Sequence, residues 1–156
     1  MDQGLFFYGL EGENCMIRDM QQGDAAELTG LMGELGYATN VDQMTDRMKK
    51  IQLREEYKTF VWEEDDRIHG MIGMTHSLAY HDDRSHIRVI AFIVRAGERG
   101  RGIGKQLMQT AENWGAEQGA GTIQLNSGNR EERKRAHEIY RYYGFQGTAT
   151  GFYKKL

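Results

Sequence analysis

Residues 99–105 read Arg99-Gly100-Arg101-Gly102-Ile103-Gly104-Lys105, and the two segments that flank them decide the fold. Upstream, residues 87–94 (IRVIAFIV) form a short apolar run rich in β-branched side chains, which Arg95-Ala96-Gly97-Glu98 then breaks. This pattern predicts a buried strand. Downstream, Ile103, Leu107, Met108, Ala111 and Trp114 recur at helical spacing, which predicts an amphipathic helix packed back on the sheet. The glycines therefore open a helix. The first N–H groups of a helix lack intrahelical partners and its dipole adds partial positive charge, while Gly100, Gly102 and Gly104 let backbone approach an anion without a Cβ between them. Arg99, Arg101 and Lys105 add charge, and the segment reads as a phosphate cradle.

Spacing separates the known phosphate loops. A Walker A loop requires Ser or Thr after the lysine and a glycine five before the last one, but Gln106 follows Lys105 and Arg99 stands at the first glycine position. A dinucleotide fingerprint read from Gly100 meets Lys105 where its third glycine belongs. A third pattern, Arg/Gln-x-x-Gly-x-Gly/Ala, is met by Arg99, Gly102 and Gly104. A second segment lies downstream: Ala136-His137-Glu138-Ile139-Tyr140-Arg141-Tyr142-Tyr143-Gly144-Phe145. Together these two segments resemble the acyl-CoA pyrophosphate loop and the closing helix of the GNAT family of N-acetyltransferases. Residues 127–140 (SGNREERKRAHEIY) further resemble a GNAT subgroup with Ser, then Arg, then Ala-His before the tyrosine. The resemblance runs from about Met16 onward and is strongest over residues 87–145.

The resemblance implies a mixed α/β sheet whose central strands splay, flanked by helices, with residues 16–156 as one domain and residues 1–15 as an extension or edge strand. It implies acetyl-CoA as co-substrate, with its pyrophosphate on Arg99, Gly100, Arg101, Gly102, Ile103, Gly104 and Lys105. The pantetheine arm would lie along Phe92, Ile93 and Val94, whose exposed backbone groups bind it and polarise the thioester carbonyl. Asn126 and Ser127 are candidates for hydrogen bonds from the neighbouring strand. Arg133, at the subgroup's arginine position, is the candidate for the 3′-phosphate, within a basic run that also holds Arg130, Lys134 and Arg135. Tyr140 takes the family's general-acid position toward the departing thiolate. A phenol near ~10 protonating a thiolate near ~8.5 is uphill by roughly 2 kcal/mol, so the hydroxyl serves chiefly as a hydrogen-bond donor to sulfur. His137 reads as structural. Many family members carry a glutamate on the central strand as base, but residues 87–94 contain no acid. His76, His81, His86 and Glu34 are the substitutes. The acceptor is expected to be the primary amine of a small molecule, attacked directly in a ternary complex, and a homodimer is implied by resemblance alone. Two other readings stand beside this one: a catalytically idle acyl-CoA sensor, and a nucleic-acid-binding module using the basic residues.

Composition suits one enzyme domain. The chain has 156 residues and a formal charge of -3, which indicates no global role at nucleic acid or membrane surfaces. Cys15 is the only cysteine, so an intramolecular disulfide and a Cys-based metal cluster are excluded and no metal site is expected. No apolar stretch approaches ~20 residues and no basic-then-apolar leader is present, so a cytoplasmic protein is expected.

The remaining elements follow from periodicity. Asp24 with Glu27 resembles a capping box, and Leu28, Leu31, Met32 and Leu35 trace a helix stopped by Gly36. Asn40 with Gln43 opens a second helix that buries Met44, Met48 and Ile51; the resemblance, not the periodicity, implies that Tyr37, between the helices, borders the acceptor. Residues 59–63 and 68–79 read as a hairpin with a solvated acidic tip at residues 64–67. Residues 122–125 and 148–153 read as further strands, the latter closing the chain.

Overall fold

The structure, a computed structural model, describes residues 6–7, 14–129 and 131–156, and only the backbone of residues 6, 7 and 132. Arg130 lies outside the described residues. The sheet runs in chain order through β1 (Phe6–Phe7), β2 (Cys15–Asp19), β3 (Tyr57–Glu64), β4 (Arg67–Ser77), β5 (His86–Val94) and β6 (Thr122–Leu125). Neighbours are antiparallel except β5 and β6, which are parallel. A parallel pair requires a crossover, and α3 (Ile103–Glu117) supplies it. Two helices, α1 (Ala25–Glu34) and α2 (Val41–Gln52), precede β3, and α4 (Lys134–Tyr142) follows β6.

Alternation along the strands sends side chains to two cores. On one face Phe60, Trp62, Ile72, Met74, Ile87 and Val89 meet Ile103, Leu107, Met108 and Ala111 of α3, with Tyr143 and Phe145 packed against them. On the other, Val61, Ile68, Met71 and Ile93 meet Leu28 and Leu31 of α1 and Met44 and Met48 of α2. The second helix begins as expected, with the Gln43 N–H donating to Asn40 Oδ1 at 2.9 Å. The methionines of α2 are core, as their spacing suggests.

Three local expectations are corrected. Residues 148–153 form no strand: they are exposed, with Phe152, Tyr153 and Leu156 among the most accessible apolar side chains. Gly147 and Gly151 remove side chains that could pack, and alternation leaves neither face of this stretch consistently apolar. Asp24 and Glu27 form no capping box. Asp24 accepts instead from the Gln21 N–H at 2.7 Å and takes both terminal nitrogens of Arg18, while Glu27 accepts from Arg95 at 2.9 Å. The acidic tip is not merely solvated. Asp65 and Asp66 adopt the left-handed φ of a two-residue hairpin turn, but Glu64 pairs with Arg101 and Arg67 with Glu27.

Candidate active site

The splay begins where one ladder stops. β6 pairs with β5 from His86↔Thr122 to Val89↔Leu125, and residues 90–94 continue without it. At the same point β5 bulges: Gly73 pairs Ala91 and Met74 pairs Val89, leaving Ile90 as the extra residue. A bulge bends its strand and re-aims the side chains beyond it. Ile87 and Val89 face α3 below it, whereas Phe92 and Val94 face α3 above it and Ile93 turns to the helices on the other side. Backbone of Phe92, Ile93 and Val94 thus borders a slot through the sheet.

The cradle lies at the end of that strand. Gly100 and Gly102 have φ of +84° and +81°, a region other residues enter only with strain, and a Cβ at either would meet nothing within 4 Å. The first helical bond of α3 is Gln106 N–H to the Gly102 carbonyl at 3.1 Å, so the N–H groups of Ile103, Gly104 and Lys105 face the open side of the turn. An anion would fit here. Gly104 also serves packing. A Cβ there would stand 3.1 Å from the Tyr143 hydroxyl, 3.4 Å from Phe92 and 3.5 Å from Val94. This glycine lets α3 dock on β5 and α4. Ile103 is core through its side chain and joins the cradle only through its backbone.

The basic side chains divide. Arg101 makes a two-pronged pair with Glu64 at 2.8 Å and 2.9 Å, adds Glu98, and lies 5.5 Å from the centre of the Trp62 ring. Its proton is held still more firmly than usual by these carboxylates, and Arg101 in turn keeps the Glu64 carboxyl below its ordinary value. Arg99 donates to the Val94 carbonyl at 3.4 Å, and Lys105 is exposed. Sequence reasoning missed the cluster that engages Arg101. His69 Nε2 stands 3.6 Å from Glu64 and its Nδ1 3.7 Å from Glu98, and the Trp62 indole N–H donates to Gln106 at 3.0 Å. The cross-strand proximity of residues 64 and 69 was available from the hairpin; the return of Glu98 was not.

The tyrosine segment ends in a Schellman motif. Phe145 N–H reaches the Tyr140 carbonyl at 3.0 Å and Gly144 N–H reaches that of Arg141 at 3.0 Å, with Gly144 at φ +92°. The fold-back sets the Phe145 ring 6.0 Å from Tyr140, and Phe92 lies 6.4 Å from Tyr140 on the strand side. Tyr140 is thereby placed beside β5 just above the bulge. Burial pushes its phenol up, opposed by the positive charge of Arg133. Tyr143, unassigned by sequence, lies one turn on and touches the cradle helix; burial raises its phenol also.

The other candidates are dispersed. Asn126 is exposed beyond β6, near Gly151, and Ser127 is half-buried. Arg133 precedes α4 beside Gly128, about 15 Å of helix from Tyr143. His137 Nε2 lies 2.9 Å from the Gly128 carbonyl and ties α4 to this loop. Of the candidate bases, His76 is bonded to Ser85 at 2.7 Å and stacks edge-on to Trp114. His81 and His86 lie toward the start of β5, His86 about 13 Å of strand below Ile90. Glu34 accepts from the Ala96 N–H at 3.4 Å, at the far end of the slot. Tyr37 is 65% exposed. No helix of the described residues is long and apolar enough to cross a membrane.

A sheet opened between its last two strands, with an anion cradle at one end and a phenol at its side, defines the class of acyl-CoA-dependent transferases. Residues 26–145 match the Acetyltransferase (GNAT) family, to which this chain belongs. It is 28% identical over 115 residues to the Uncharacterized N-acetyltransferase YhdJ of Bacillus subtilis (strain 168), covering 74% of this chain and 79% of that one. A GNAT family acetyltransferase of Staphylococcus aureus superposes with a TM-score of 0.78 at 28% identity, over 91% of this chain and 98% of the other. The aminoglycoside N-acetyltransferase AAC(6')-Iy, solved with CoA, superposes at 0.81 with 21% identity, over 93% and 97% of the two chains. The protein is therefore an acetyl-CoA-dependent N-acetyltransferase with the GNAT fold.

Proposed function

We propose that this enzyme acetylates the primary amine of a small molecule by direct attack in a ternary complex. The observation that carries the reading is the coincidence of three features on one strand: the ladder ends at Val89, the cradle opens past Val94, and Tyr140 stands against Phe92 between them. Acetyl-CoA, when bound, supplies an acyl thioester. Gly100 and Gly102 leave room for its pyrophosphate against the α3 N–H groups, with Arg99 and Lys105 adding charge. Backbone of Phe92, Ile93 and Val94 holds the arm, and one N–H there stabilises the charge that gathers on the carbonyl oxygen, worth about 3 kcal/mol for a good donor. Asn126 and Ser127 flank the arm from the β6 side, and Arg133 takes the 3′-phosphate.

The attacking nitrogen forms a bond to the acetyl carbon as the C–S bond breaks. Its surplus proton leaves toward water, and the sulfur takes a hydrogen bond or proton from Tyr140. An amine of pKa ~10.4 is mostly charged at pH 7, a cost of up to ~4.6 kcal/mol that deprotonation must meet. With no acid on β5 to take it, that proton passes through water to a base that His76, His81, His86 and Glu34 are the candidates to supply. The proposal includes a cytoplasmic location and the homodimer that the family resemblance implies.

The test is calorimetric titration with acetyl-CoA and 3′-dephospho-acetyl-CoA, followed by thiol release across a panel of amines. Saturable 1:1 binding, weakened by loss of the 3′-phosphate, with thiol release for small amines supports the reading. Binding without release for any amine overturns the acceptor assignment.

A further inference from the structure

Toward α3 the slot is lined by Phe92, Tyr140, Phe145 and Tyr143. On the opposite face α1 and α2 cover Val61, Ile68, Met71, Ala91 and Ile93, and their cover stops there. Below Ala91 the sheet is bare: Ile90 is 48% exposed, and Arg88 and Gln124 are exposed. An acceptor reaching the slot from this side must cross that surface.

Register and burial fix what the surface carries. Tyr57 pairs with Thr75, Thr75 with Arg88 and Arg88 with Gln124, so the four form one row across β3 to β6. Phe60, Met74, Ile87, Val89, Ile123 and Leu125 all belong to the α3-side core, so the row points the other way. His86 follows Arg88 on the same face, two residues down. Arg18, Arg95 and Arg101 are each bound to carboxylates, whereas among the described residues Arg88 makes no hydrogen bond or ion pair. It is an uncompensated guanidinium flanked by Thr75 and Gln124, roughly 7 Å, two strand residues, below the bulge.

The geometry points to Arg88 as a specificity residue that selects an acceptor amine carrying an anionic group, a carboxylate or phosphate a few bonds from the nitrogen. This rests on the proposed acceptor chemistry and narrows it. A guanidinium offers a planar fork matched to such oxyanions, and the neighbouring amide and hydroxyl supply further donors. A polyamine would place its second cation against Arg88 and lose affinity instead.

The test uses the full chain with matched amines: butylamine, 4-aminobutanoate, 3-aminopropyl phosphate and 1,4-diaminobutane. Thiol release with acetyl-CoA is expected to give a kcat/KM for one of the two anionic amines at least tenfold above butylamine, and lowest for the diamine. Which anion is preferred distinguishes carboxylate from phosphate. Arg88→Ala should abolish the preference with butylamine unchanged, Arg88→Lys should restore part of it, and Arg88→Glu should favour the diamine. Calorimetry of 4-aminobutanoate and 3-aminopropyl phosphate against the CoA-loaded chain gives a second readout independent of turnover. Thiol release without anion preference, or a preference that survives Arg88→Ala, overturns the assignment of Arg88 and leaves the transferase reading intact. Arg88-dependent anion binding with no release for any amine has the opposite meaning.

Discussion

Replacing Tyr140 by Phe removes one oxygen from a ring held between Phe92 and Phe145 and leaves the packing in place. Turnover is expected to fall about tenfold to a hundredfold while acetyl-CoA affinity stays within about twofold, measured by thiol release and calorimetry. Because burial raises this phenol above its usual 10.0, its ionisation should not cut off activity below that pH. The rate should instead climb through pH 8 to 9 as the amine loses its proton; a fall with pKa near 8 would assign a different acid. The cradle glycines separate by a second measurement. Gly102→Val forces a β-branched residue to φ +81° and fills the anion's space, so acetyl-CoA binding should weaken by tenfold or more. Gly104→Ala pushes on the Tyr143 hydroxyl at 3.1 Å, so it should lower the melting temperature more than it lowers affinity.

At the scale of elements, α4 depends on its last turn. Gly144→Ala places a Cβ in the left-handed region at a cost of about 1–2 kcal/mol, and loosens the turn that sets Phe145 against Tyr140. Both stability and kcat should drop, in contrast to Tyr140→Phe, which should affect kcat alone; thermal melts beside rate measurements check this. The core helix offers a control. Leu107 is fully buried between α3 and the sheet, so Leu107→Ala should cost about 2–5 kcal/mol in denaturant unfolding.

These elements also show where sequence was enough. The strand at residues 87–94, the helix from Ile103 and the Gly144 stop follow from periodicity and turn chemistry, which are local. Asn40 as a cap is local too. The engagement of Arg101 is not, because it joins Glu64 of a hairpin to Glu98 of a connection only after the sheet has formed. Gly104 illustrates the same limit: flexibility at residue 104 is legible, but contact with Tyr143 depends on the docking of α4. The exposed tail at residues 147–156 shows the reverse error, in which β-forming residues alternate without any apolar face to bury.

For the whole molecule, charge is distributed as paired groups that lock connections to the sheet. Glu64 is kept ionised below its ordinary 4.5 by Arg101, so the pair contributes stability that is full above that value and lost as pH falls through the lowered one. Thermal melts of the parent and Glu64→Gln should differ most near pH 7, and the gap should shrink as acid carries the pH from 4.5 down through the lowered value. A gap that does not shrink in acid would mean the glutamate acts through packing.

The parallel pairing of β5 with β6 stops halfway along β5, which divides its amides into two populations. Residues 86–89 are enclosed by ladders on both sides, whereas part of the backbone from Ile90 to Val94 faces the slot. Hydrogen–deuterium exchange should therefore be slow in the first half of β5 and faster in the second. Added acetyl-CoA should slow the second half and the first turn of α3 together. Such a footprint would trace the cofactor along the strand without any acceptor present.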